Sequence, residues 1–278
     1  MVRVRLQLDT ARGAQASLGQ YMVMIACLAA LFLGAACGKT PVAPSPGLPP
    51  VINPPTPQPP VPPPAAPRLS QLRFLAFGDS LTYGVVHLTA ANLSLDAGLP
   101  VSYPFKLQAM LTATYKDQLP VVVNGGLPGE RASDARTRLR TLINDADADV
   151  VLLMEGANDL NQLGEAGLGA THTAMKDLVR TIKGAGVIPM LLMQPPQRPG
   201  LPKTPAAEFI ADYNRDLRRM AEAEGVTVID IDRQFDVSLQ GPDGLHPSEA
   251  GYARIAEIVL AAIKARFEQP AATANQTR

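Results

Sequence analysis

The chain has 278 residues, room for one large domain with appendages, and its 25 basic residues balance its 25 acidic ones. That balance, with no basic patch along the chain, argues against nucleic acid as a partner. The only cysteines are Cys27 and Cys37, so the globular part can have no disulfide, no Cys nucleophile and no Cys-ligated metal.

Residues 21–36 form an apolar stretch without charge, preceded by Arg3, Arg5 and Arg12. The stretch is short for a membrane span and suits the core of a signal peptide, so residues 1–36 are expected to direct export. It ends in Leu33-Gly34-Ala35-Ala36-Cys37, which resembles a bacterial lipobox with Cys37 as the lipidated residue. The leucine usual three positions before the cysteine is Gly34 here. The plainer alternative is an ordinary cleaved leader with an incidental cysteine. Pro41 to Pro67 then holds 14 of the 27 prolines and no charge. Such a segment cannot build a core and reads as an extended spacer, so 37–68 is expected to tether the domain to a membrane.

From residue 69 to 268, strand-like and helix-like stretches alternate, before a short polar tail at 269–278. The expected strands are Leu72–Phe77, Val121–Asn124, Val150–Met154, Val187–Met193 and Val226–Ile231. Nearly continuous apolar runs of this length suit a parallel sheet buried on both faces. Helical patterns cover Phe105–Tyr115, Ala132–Ile143, Thr173–Gly184, Ala206–Ala223 and Ser248–Phe267. The alternation predicts an α/β doubly wound sheet. Two loops are long, Val85–Ser102 and Pro195–Pro205, and both are expected to border a pocket. The first is rich in Leu, Ala and Val and either walls that pocket or covers the sheet edge.

Ligands of open α/β sheets sit outside the carboxyl ends of the strands. Four loops at that edge carry unusual residues: Gly78-Asp79-Ser80-Leu81, Asn124 to Glu130, Glu155 to Leu160, and Asp243-Gly244-Leu245-His246-Pro247. They offer a hydroxyl, a Gly-rich turn, an amide and an acid–imidazole pair. A serine nucleophile needs a base, and the base needs an orienting group. Taken singly, each has a plainer role. Ser80 can cap a helix, Asn158 and Asp159 can sit in a turn, and Asp243-Gly244 can be only a turn.

Together, in this order, the blocks resemble the SGNH, or GDSL-type, hydrolase superfamily from Gly78 to Pro247, with Ser248 to Tyr252 also typical of it. The resemblance implies a three-layer, flavodoxin-like sandwich with a mostly parallel five-stranded sheet, and a serine esterase needing no cofactor. It implies Ser80 as nucleophile, His246 as base and Asp243 as the orienting acid. The oxyanion hole is implied to combine the Ser80 and Gly129 N–H groups with the Asn158 amide. Glu130 departs from the pattern, since relatives commonly have Asp there.

The substrate class stays open between arylesterase-, lysophospholipase-, thioesterase- and carbohydrate deacetylase-like activities, with short acyl chains expected. The absence of Trp disfavours a polysaccharide. A rival of another class is a non-catalytic lipid- or glycan-binding lipoprotein on the same scaffold, but Ser80 and His246 are both present. His87 and His172 read as surface or loop residues, and no spacing suggests a metal site. Gly34 to Thr40 only superficially resembles a phosphate-binding loop, and the absence of G-x-S-x-G argues against the ordinary α/β-hydrolase fold.

Overall fold

Five short apolar runs pair into one parallel sheet: β1 (Arg73–Gly78), β2 (Val121–Gly126), β3 (Val150–Met154), β4 (Ile188–Leu192) and β5 (Thr227–Ile229). The computed structural model describes residues 66–87, 94–95 and 98–269. The expected signal peptide, the lipidated Cys37 and nearly all of the linker and tail lie outside those residues. Among the described residues, no helix is long and apolar enough to cross a membrane.

Strand order is β2-β1-β3-β4-β5. The chain first steps to one side of β1 and then returns to the other, so a switch point lies between β1 and β3. The helices that frame the sheet and its carboxyl edge are α1 (Ser80–Tyr83), α2 (Tyr103–Thr114), α3 (Arg136–Asp145), α4 (Ala157–Leu163), α5 (Leu168–Gly184), α6 (Ile210–Glu224) and α7 (Glu249–Phe267), with two further four-residue helices at Gly98–Val101 and Ile231–Gln234.

Strand side chains alternate between faces, and both faces are buried. Phe74, Ala76, Leu152 and Met190 pack with α2 and α7 on one face. Leu75, Phe77, Leu153 and Leu191 pack with α3, α5 and α6 on the other. This is the expected three-layer α/β/α sandwich. Caps mark helix starts as the sequence allows. Ser102 Oγ accepts the Phe105 N–H ahead of α2, and Ser248 Oγ accepts the Gly251 N–H ahead of α7. The domain closes on itself where Arg68–Leu69 pairs antiparallel with Glu268–Gln269, one residue beyond each expected boundary.

Candidate active site

β1 and β2 end side by side on glycine, with Gly78 in register with Gly126. A Cβ on Gly78 would lie 2.3 Å from both the Met154 carbonyl oxygen and Thr82 Oγ1, and one on Gly126 would lie 2.2 Å from Tyr83 N. Only glycine leaves room for α1 to drop onto the strand ends. Asp79 caps α1 through Oδ1, which accepts the Leu81 N–H at 2.9 Å. Ser80 therefore stands in the first turn, at the carboxyl edge of the sheet.

Asp243 and His246 reach the same edge through a tight turn. Asp243 Oδ1 accepts the N–H groups of Leu245 and His246 at 3.1 and 3.0 Å. Two further bonds brace the turn: the Gly241 N–H donates to the His246 carbonyl at 2.7 Å, and the Arg198 N–H donates to the Gly244 carbonyl at 2.9 Å. His246 Nδ1 lies 2.6 Å from Asp243 Oδ2, and His246 Nε2 lies 2.9 Å from Ser80 Oγ. All three residues are buried. Burial alone raises the Asp243 pKa. The hydrogen bond and charge of His246, with the two backbone donors, outweigh it and hold the carboxyl below its ordinary range. An ionised Asp243 can only accept, so His246 donates from Nδ1 and turns the lone pair of Nε2 to the Ser80 hydroxyl.

A cavity of about 530 Å³ opens here, lined among others by Ser80, His246, Gly129 and Asn158. Both long loops border it, the first through Val85 and the second through Pro202, Lys203 and Pro205. Asn158 Nδ2 donates to the Glu130 carbonyl at 2.8 Å and to Asp79 Oδ2 at 3.2 Å. Both amide hydrogens thus have partners inside the protein. Glu130 forms an ion pair with Arg138, whose Nη1 donates to the Gly125 carbonyl at 2.6 Å and whose guanidinium stacks 4.0 Å from the Phe77 ring centroid. Asp159 accepts the Ala132 N–H at 2.8 Å and pins the segment that follows Glu130.

His87 corrects the sequence reading. It is not a surface residue but 6 % exposed, with its ring 4.7 Å from that of His246 and tilted by 31°. Its Nε2 lies 3.5 Å from Asp243 Oδ2. The Tyr252 hydroxyl on α7 donates to the Val85 carbonyl at 2.7 Å and holds the backbone two residues before His87. Burial pushes the His87 pKa down, Asp243 pulls it up, and His246 and Lys203 add to the lowering. Candidate ligand atoms of His87, Asp243 and His246 lie within 4.8 Å of one another, a grouping invisible in the sequence spacing. Both His246 nitrogens in it are already engaged. His172, by contrast, lies on α5, half-buried, with Nε2 donating to the Asp216 carbonyl at 3.0 Å. No signal in the sequence separated the two histidines.

The family model for GDSL-like lipase/acylhydrolases matches residues 76–254. No curated protein matches the chain. Among solved structures, the native aryl esterase of M. smegmatis aligns with a TM-score of 0.59 at 21 % identity, over 70 % of this chain and 99 % of that one. A carbohydrate acetylesterase from Sinorhizobium meliloti aligns at 0.60 and 20 %, over 69 % and 98 %. An acetylxylan esterase from Geobacillus stearothermophilus aligns at 0.56 and 23 %, over 69 % and 94 %. At these identities the likeness is one of fold.

Acidic groups crowd beneath the site. Burial raises Asp79 to about 6; the Leu81 N–H and His246 oppose the shift, and Asp159 and Glu130 add to it. Burial likewise raises Glu155 well above the ordinary range, with Asp79 and Glu130 adding to the shift. Folded Asp79 therefore keeps a proton that the unfolded chain has already lost between about pH 4 and 6. Stability falls as pH rises through that window. Asp79→Asn keeps an acceptor for Leu81 and removes the buried charge. Its melting temperature relative to wild type should be higher at about pH 7 than at about pH 4. Thermal melts at both pH values check this, and a difference independent of pH contradicts it.

Proposed function

The chain belongs to the GDSL-like lipase/acylhydrolase family and is an ester hydrolase, and we propose that it cleaves carboxylic esters through an acyl-Ser80 intermediate. The reading rests on one observation, the continuous hydrogen-bonded chain from Ser80 Oγ through His246 to Asp243 at the cavity. Ser80 Oγ attacks the ester carbonyl while its proton passes to His246 Nε2. Asp243 holds the ring and stabilises the imidazolium. The oxyanion takes the N–H groups of Ser80 and Gly129 and one hydrogen of the Asn158 amide. Of the two bonds that amide makes, the longer one, to Asp79, is the one that yields.

Collapse of the tetrahedral intermediate breaks the C–O bond, and His246 returns the proton to the departing alcohol. Water then loses a proton to His246 and attacks the acyl-Ser80 carbonyl. Collapse releases the acid and restores the Ser80 hydroxyl. The fold-level likeness to an aryl esterase and to two enzymes named for acetyl esters favours a small acyl group.

On para-nitrophenyl acetate, Ser80→Ala and His246→Ala should each lower kcat by on the order of 10⁴ or more, and the double variant should be little worse. Asp243→Asn should cost less than either. Asn158→Ala should lower kcat by ~10²–10³ with little change in KM. Near-normal turnover by Ser80→Ala overturns the assignment.

The same reading includes export and a lipid anchor on Cys37, supported by the order of charged leader, apolar stretch, small residues before the cysteine and proline-rich spacer. A single acyl chain holds a protein to a bilayer only weakly, whereas several hold it firmly. Expressed in a bacterial host, the full chain should fractionate with membranes and incorporate labelled palmitate, and Cys37→Ala should lose the label. Wild-type protein recovered free with an unmodified N-terminus defeats the anchor and leaves the esterase reading intact.

A further inference from the structure

One wall of the cavity carries an uncompensated positive charge. Lys203 sits on the segment after β4 that borders the pocket, half-buried between Pro202 and Pro205. Among the described residues its ammonium has no hydrogen bond and no ion pair. No Asp or Glu of the described residues lines the cavity. Asp243, beside the cavity, is already held by His246 and two backbone N–H groups.

Asn161 lines the same cavity. Its Oδ1 accepts the Ala206 N–H at 3.2 Å, which leaves the amide nitrogen as its unpartnered end. The Lys203 ammonium and the Asn161 amide nitrogen are thus two donor groups, neither with a partner in the described residues, on residues that line the cavity.

The segment is also fixed in place. Thr204 Oγ1 donates to the Arg198 carbonyl at 2.6 Å, and the Arg198 N–H donates in turn to the Gly244 carbonyl at 2.9 Å, within the turn that carries Asp243 and His246. Lys203 is thus carried on backbone tied to the triad turn, and less ordering is left to a ligand. A cation on the cavity wall without a partner in the protein leaves its N–H donors free to meet an anionic substrate group.

We propose that Lys203 and Asn161 form an anion subsite, and that the preferred substrate is an ester bearing a carboxylate or phosphate close to the scissile bond. The charge can sit on the acyl part or on the alcohol part. The proposal rests on the reading that Ser80 acts in this cavity, and it names the substrate class of that site. A charge-assisted bond in a partly buried pocket corresponds to a preference of about tenfold in kcat/KM.

Two matched pairs separate the sides. The first sets para-nitrophenyl hydrogen adipate against its methyl ester, with the charge on the acyl part. The second sets para-acetoxyphenylacetate against its methyl ester, with the charge on the alcohol part. Rates are read as phenol release. In at least one pair the full-length wild type should prefer the anionic member by about tenfold, less so in high salt. Lys203→Met should bring that ratio close to one, and Lys203→Arg should keep most of it. Because the readout is a ratio within one protein, a loss of folded enzyme does not mimic the effect. A ratio at or below one in both pairs, or a preference that survives Lys203→Met, overturns the subsite. Hydrolysis of all four esters that Ser80→Ala leaves intact instead overturns the reading of the site itself.

Discussion

The turn out of β1 has no room for a side chain, and the site depends on that constraint. Gly78 and Gly126 end neighbouring strands in register, and α1 descends onto both. With any larger residue at either position the helix would have to lift away from the sheet. Ser80 would then leave His246 Nε2, which now lies 2.9 Å from its hydroxyl oxygen. The parallel sheet supplies the rest by burying both faces, so that polar residues gather in the loops at its carboxyl edge. The α1 loop and the turn around Asp243 are far apart in the chain, and the turn reaches the edge beside Ser80 braced by the Arg198 and Gly241 N–H groups, just ahead of α7.

Charge is handled unevenly around this edge. Asp243 is ionised because an imidazole and two backbone donors converge on it. Asp79 and Glu155 are buried among like charges, and their protons are held more tightly for that reason. Asp79 both caps α1 and accepts from Asn158, so one carboxyl links the start of α1, where Ser80 stands, to α4. That link costs stability at neutral pH. It is a local conflict of the kind expected where placing reactive groups matters more than stability.

Much of the fold is legible in the sequence, and the reasons are local. β3 begins and ends where the apolar run Val150–Met154 does, because Asp149 and Glu155 bound it. The last strand is shorter than its apolar run suggests. Among the described residues β5 pairs with β4 alone, and the chain leaves the sheet at Asp230 to start a short helix at Ile231. α3 starts at Arg136 rather than Ala132 because Asp159, in the first turn of α4, takes the Ala132 N–H and holds that residue in a turn. α1 is too short to have a period, so no pattern announces it.

Ser80, Asp243 and His246 are legible through their motifs, whereas their surroundings are not. His87 approaches His246 only after Tyr252 ties down the intervening loop, and the double engagement of Asn158 needs two further loops in place. Such contacts belong to tertiary packing and leave no periodic trace in the chain.

The reading turns on one property, a Ser80 hydroxyl activated for attack by its hydrogen bond to His246. A fluorophosphonate reports this directly, since it bonds covalently only to a serine with an adjacent base and an oxyanion site. Treating the full-length protein with a fluorophosphonate probe and mapping the adduct by peptide mass spectrometry should give one adduct per chain, on Ser80. His246→Ala should prevent its formation. An adduct on another serine, or none on folded protein that still hydrolyses esters, would contradict the account.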